Sequence, residues 1–172
     1  VTTLPMNYTY GLSVINSHAL AGAAVLLTEK TVFDREFWEF ASAEKATSLA
    51  GVPYTYEMLK KLKFIEMELP NLKTMTQAGG KLSVSLHREF AEYAAGHGKR
   101  FIVMYGQTEA TARMGYLPAG EALNRCGSMG IVIPGGKFRL TGEDGREIKE
   151  AGTTGELVYE GKNVMLGYAK NR

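Results

Sequence analysis

The chain has 172 residues, 45% of them hydrophobic and 22% charged, with a formal net charge of +2. That length holds one good core and a small appendage, and the small net charge, with acids and bases interleaved, speaks against a nucleic-acid partner. A single cysteine, Cys126, excludes an internal disulfide and fits a reducing, cytoplasmic setting.

The opening residues, VTTLPMNY, carry neither the basic n-region nor the apolar h-region of a secretion signal. The chain starts on Val and ends on GYAKNR just after an apolar run, so a piece of a longer protein is expected. The apolar region from Gly11 to Leu27 is broken by Asn16, Ser17 and His18, which makes a membrane span a poor reading. AVLL at 24–27 reads as a buried strand. FDREFWEFASAEKA at 33–46 places Phe37, Phe40 and Ala41 on one helical face, with Asp34 as the N-cap.

TSLAG at 47–51 is a short strand, and Pro53 then opens a helix over 54–63. Lys60, Lys61 and Lys63 read as its solvated end. LKTMTQAGG at 72–80 is a strand running into glycines, and SVSLHREFAEYAAGHG at 83–98 is a helix with glycine past its end. RFIVMY at 100–105 is apolar on both faces, as in a parallel sheet covered on both sides. This alternation predicts an α/β fold, a mostly parallel sheet with flanking helices. Beyond about Arg125 glycines become dense and the apolar runs short, at 131–133, 137–140 and 156–159, with a turn signal at Glu143-Asp144-Gly145. The expected organisation is an α/β unit over 1–125 and a small β-rich, barrel-like unit over 126–172.

In an open parallel sheet, ligands bind beyond the carboxyl ends of the strands. Three strand ends carry suggestive residues: Gly51-Val52-Pro53, Gly79-Gly80-Lys81 and Tyr105-Gly106-Gln107-Thr108-Glu109. Each has an ordinary structural explanation. The glycines supply turn conformations, Pro53 opens a helix, and Thr108 with Glu109 suits a helix start. Each also suits a nucleotide. Side-chain-free backbone admits a flat ring, Tyr105 offers a stacking face, Thr108 presents a hydroxyl and a helix N-terminus to phosphate, and Glu109 offers Mg²⁺ one carboxylate.

YGQTE at 105–109 resembles the Tyr-Gly-x-Thr-Glu motif of the adenylate-forming superfamily, which holds acyl- and aryl-CoA ligases, peptide-synthetase adenylation domains and luciferases. LPMNYTYGLS at 4–13, AGGKLS at 78–83 and GELVYEGKNVMLGY at 155–168 resemble three further motifs of that family, in the family's order. The resemblance implies that Gly79, Gly80, Lys81, Tyr105, Gly106 and Gln107 bind the nucleotide. Thr108 would contact the α-phosphate and Glu109 would hold Mg²⁺. Tyr8, Gly51, Val52 and Pro53 would lie near the acyl pocket. The implied reaction condenses a carboxylic acid with ATP to an acyl adenylate and pyrophosphate, with CoA as the next acceptor, or a carrier protein in the amino-acid-activating branch; a non-catalytic nucleotide-binding relative is the further alternative.

Some family features depart or are absent. The phosphate loop ending in Pro-Lys-Gly does not occur in the sequence, nor do the ribose-binding aspartate and the lysine-bearing lid domain, so the 172 residues alone are expected to be inert. Tyr8 stands where many acyl-CoA ligases have His, and Gly11 where amino-acid-activating members often have Asp, which tilts the substrate toward an amine-free acid. His18, His87 and His97 have no metal-ligand spacing with each other or with Cys126. His97 reads as a helix cap, Arg113 as an i, i+4 partner of Glu109, and Glu156 and Tyr168 as part of the β-rich fold.

Overall fold

The structure, a computed structural model, describes residues 1–169. Its helices are α1 (Thr9–Leu20), α2 (Arg35–Ala43), α3 (Pro53–Lys61) and α4 (Val84–Gly96). Its strands are β1 (Ser48–Gly51), β2 (Thr74–Gln77), β3 (Arg100–Tyr105), β4 (Gly115–Tyr116), β5 (Ile131–Val132), β6 (Gly136–Thr141) and β7 (Glu156–Gly161). The main sheet has the order β1-β2-β3-β4-β5, parallel from β1 to β3 and antiparallel from β3 to β5. β6 and β7 form a separate antiparallel pair.

Period-two alternation in the parallel strands feeds two apolar layers. Leu49, Met75, Phe101 and Val103 pack against α3, the 3₁₀ turn Phe64–Glu66 and α4, where Tyr56, Leu59, Phe64 and Phe90 are fully buried. Ala50, Ile102 and Met104 face the other way, toward Tyr10 and Val14 of α1. The first layer holds a chain of aromatic edges, with Tyr56 perpendicular to Phe90 at 4.9 Å and 5.4 Å from Phe101. The RFIVMY strand is thus covered on both faces, as its composition predicts.

α1 is the element that the sequence pattern did not reveal. Its apolar and small residues do not mark a stripe, and Asn16, Ser17 and His18 look like punctuation. In the helix Ser17 and His18, with Ser13, bond back to it, and Asn16 is exposed. Ser13 Oγ donates to the Tyr10 carbonyl, Ser17 Oγ to that of Val14, and His18 Nδ1 also reaches the Val14 carbonyl at 2.8 Å. AVLL at 24–27 is not a buried strand. Leu27 makes a single parallel bridge to Thr2 and is exposed, because no continuous strand partner lies beside the run.

Asp34 does sit at the N-cap of α2, but its carboxylate turns back to accept the Thr31 N–H and hydroxyl at 2.7 and 2.8 Å. Ser83 caps α4 through its side chain. At the other end of α4, His97 Nδ1 donates to the Tyr93 carbonyl. The 143–145 turn forms, with Gly145 N–H on the Gly142 carbonyl. Among the described residues the β-rich stretch contains one two-stranded sheet rather than a barrel, since Ile131–Val132 joins the main sheet through β4.

Candidate active site

Because β2 and β3 are parallel, with Gln77 beside Val103, the loops that follow them leave the same edge of the sheet. They face each other across a cavity of about 530 Å³. Gly79, Gly80, Lys81, Tyr105, Gly106 and Gln107 line it, together with Gln77, His87 and the segment 127–129.

The glycine loop is held in place from below. Gly79 has φ +81°, and a Cβ there would lie 2.4 Å from Tyr8 Oη and 3.1 Å from Val52 Cγ1. A Cβ on Gly80 would meet Pro53 Cγ at 3.1 Å. Tyr8, Val52 and Pro53 are therefore gathered beneath the same loop. Gly51 is not. The space that its side chain would fill is occupied by Thr55 and Tyr56, so it serves the packing of α3 on β1.

Gln77 Nε2 donates to the Gly80 carbonyl at 2.9 Å, while its Oε1 is buried without a partner among the described residues. His87 Nδ1 accepts the Gly127 N–H at 3.2 Å, which leaves the ring proton on Nε2. Nε2 is also buried and unpartnered, near the Ala122 backbone but without a bond of good geometry. Burial is the main influence on this imidazole and lowers its pKa, opposed by the Ala122 backbone. Two orphan polar atoms on one cavity wall are unusual in a folded interior. Neither residue stood out in sequence. Gln77 was one polar residue in an alternating strand, and His87 lacked metal-ligand spacing.

The helix expected after Tyr105 does not form. Thr108–Ala110 is a single 3₁₀ turn with Gln107, not Thr108, at its cap position. Thr111 and Ala112 follow with φ +54° and +72°, where the chain leaves the right-handed region. The cause is tertiary: β4 must return antiparallel to β3, with Met114 N–H on the Tyr105 carbonyl at 2.8 Å. Gly106 lets this happen, since a Cβ there would lie 1.8 Å from the Ala112 carbonyl oxygen. Thr108 and Glu109 stand exposed just outside the cavity lining. Thr108 Oγ1 lies 3.2 Å from Thr9 Oγ1, which joins the start of α1 to the turn.

The segment after β7 braces this turn from outside. Asn163 Nδ2 donates to the Ala110 and Arg113 carbonyls at 2.6 and 3.1 Å, and Met165 N–H to the Glu109 carbonyl at 2.8 Å. Tyr168 Oη donates to Glu109 Oε1 at 2.7 Å. That bond leads the causes that hold the Glu109 carboxyl below its ordinary pKa and raises that of Tyr168. Tyr168 thus touches the candidate site as well as belonging to the β-rich fold. The expected pair between Glu109 and Arg113 is absent from the ion pairs of the described residues. Deeper in, Tyr10 Oη bonds to Thr76, and burial pushes its pKa up to about 12.

Among the described residues no group of three or more His, Cys, Asp or Glu could hold a metal, and no helix is long and apolar enough to cross a membrane. One exposed carboxylate at Glu109 fits an ion that draws its other ligands from water and phosphate.

The chain is 31% identical over 170 residues to an indoleacetate–CoA ligase of Aromatoleum aromaticum, covering 98% of this chain and 32% of that protein. It is 28% identical to a luciferin 4-monooxygenase of Luciola mingrelica, covering 99% of this chain and 30% of that protein. The fold matches O-succinylbenzoate coenzyme A synthetase from Bacillus subtilis, solved in complex with ATP and magnesium ion. That match has a TM-score of 0.81 at 21% identity, over 98% of this chain and 34% of the other. The chain spans about a third of the length of the curated relatives it matches. A family model described as AMP-binding enzyme matches residues 1–169, nearly the whole chain, and with the loops facing one cavity it follows that the chain belongs to the AMP-binding enzyme family.

Proposed function

We propose that the chain is the central part of an ATP-dependent acid ligase that forms an acyl adenylate and passes the acyl group to CoA. One observation carries this reading. The Gly79–Gly80 loop and the Tyr105–Gln107 stretch face each other across a cavity, and Thr108 and Glu109 follow directly at its edge. The spacing suits base, then phosphate, then metal. The CoA-ligase name of the indoleacetate relative supports the acceptor.

In this reading the purine lies between the Tyr105 ring and the glycine backbone, with Lys81, Gly106 and Gln107 around it. The Thr108 hydroxyl contacts the α-phosphate; with a single 3₁₀ turn behind it, hydroxyl and local N–H groups act without a helix dipole. Glu109 holds Mg²⁺, which offsets negative charge on the phosphates. Tyr8, Val52 and Pro53 flank the acid beneath the glycine loop, and Gly51 contributes backbone only. The acid's carboxylate oxygen attacks the α-phosphorus, the bond from that phosphorus to the bridging oxygen breaks, and pyrophosphate leaves. No protein nucleophile is required; the residues align the reactants and stabilise charge on the phosphate oxygens. We divide the chain functionally into an α/β unit over 1–125 and a β-rich unit over 126–172, in a cytoplasmic enzyme.

Acid-dependent ATP–pyrophosphate exchange on the complete natural polypeptide tests the reading, followed by trapping of a CoA thioester. Exchange with an amine-free acid supports it. A folded protein that binds ATP yet exchanges with no acid overturns it.

A further inference from the structure

A second cavity lies on the opposite face of β2, under α1, with a volume of about 340 Å³. α1 runs antiparallel to the strands above it. Its first turns meet the catalytic edge, with Tyr10 bonded to Thr76 near the end of β2 and Thr9 close to Thr108. Its last turn meets the start of β1, where Ser48 Oγ and His18 Nε2 are 3.1 Å apart. The cavity therefore runs under α1 toward the amino ends of the strands, and Thr76 and Arg113 are the lining residues on the side of the proposed reaction centre. Thr76 to Lys73 along β2 spans roughly 10 Å.

The lining of this cavity is one-sided in charge. Lys73, Arg100 and Arg113 line it, with hydroxyls from Ser48, Thr74 and Thr76, and no Asp or Glu is among its lining residues. Arg113 follows the Thr108–Ala112 turn directly, and its Nε is buried without a partner among the described residues. Among the described residues the Arg100 side chain meets only a neutral acceptor, Thr74 Oγ1, at 2.9 and 3.2 Å. The stem of an acid would lie against Val14 and Ala50, but an apolar end beside the guanidinium groups would supply them no acceptor. A carboxylate would supply two oxygens in the geometry that a guanidinium fork matches.

We propose that this cavity selects a carboxylic acid bearing a second anionic group, a dicarboxylic acid, with the distal carboxylate held by Arg113 and drawn further in by Arg100. The proposal rests on the adenylation reading for the reacting end of the acid and on the cavity itself for the distal end.

The test uses the complete natural polypeptide and chain-length-matched pairs, adipate against hexanoate and suberate against octanoate, in ATP–pyrophosphate exchange. The expected result is a kcat/KM at least tenfold higher for the diacid, and a diacid-to-monoacid ratio that falls at least tenfold in Arg113→Gln and less in Arg113→Lys. Arg100→Gln, at an exposed position, is the second variant should Arg113→Gln fail to fold, and it too must lower the ratio. Preference for the monoacids, or a ratio indifferent to the substitutions, overturns the proposal. If no acid supports exchange, calorimetric titration of the same polypeptide with suberate separates the two ideas. Binding that weakens in the variants retains the diacid pocket and removes the adenylation reading; no binding removes both.

Discussion

At Gly79 two constraints coincide. Its φ of +81° disfavours any residue with a side chain, and the space for a Cβ is taken by Tyr8 Oη at 2.4 Å. Gly79→Ala should destabilise the protein by about 1–2 kcal/mol from the backbone conformation alone, and should weaken ATP binding as Tyr8 or the loop shifts. Denaturant unfolding and nucleotide titration measure the two effects, and wild-type values in both would remove the constraint. On the facing loop, Tyr105→Ala should weaken nucleotide binding by about 1–3 kcal/mol, the scale of a base stacked on an aromatic ring. An unaltered Kd would take Tyr105 out of the site. The Tyr168 hydroxyl leads the causes that lower the Glu109 pKa, so its contribution is present above the ordinary carboxyl pKa and is lost as pH falls through the folded-state value. Tyr168→Phe should therefore move the acid limb of the exchange reaction to higher pH. An acid limb that stays in place would show that the hydrogen bond does not govern Glu109.

At the scale of elements, the parallel core was legible because its residues obey strong periodicities. β1, β2, β3, α3 and α4 each follow from alternation, from 3.6-residue spacing, or from Pro53 and Ser83 at helix starts. The glycine loop and the Tyr105–Glu109 stretch were legible as well, because strands of the same direction deliver their following loops to one edge. α1 was hidden by polar residues that satisfy themselves within the helix. The turn after Gln107 was misread because its backbone obeys β4 pairing rather than the propensity of Thr-Glu-Ala. Tyr168 and Asn163 were invisible as site residues because their contacts cross 59 and 53 positions of sequence. For the α3–α4 layer the expectation is direct. Phe90, fully buried between Tyr56, Phe64 and Phe101, should lose about 3–5 kcal/mol of stability on change to Ala. A loss below about 1 kcal/mol in denaturant titration would mean that this layer relaxes around the gap.

Across the whole molecule, the β6–β7 pair and the residues after it hold the candidate phosphate turn in place, while the sheet positions its cavity side. Asn163→Ala should leave the α3–α4 core protected but speed amide exchange in residues 105–116. Hydrogen-exchange mass spectrometry reads both regions, and equal protection across 105–116 would mean that the brace is redundant. The Asn163 contacts also bear on how the protein is made. Ala110 and Asn163 are 53 residues apart. At a synthesis rate of about 5–20 residues per second, roughly 3–10 s separate the emergence of the turn from that of its brace. During that interval the parallel sheet and its helices can fold around their own local contacts, while the nucleotide wall waits.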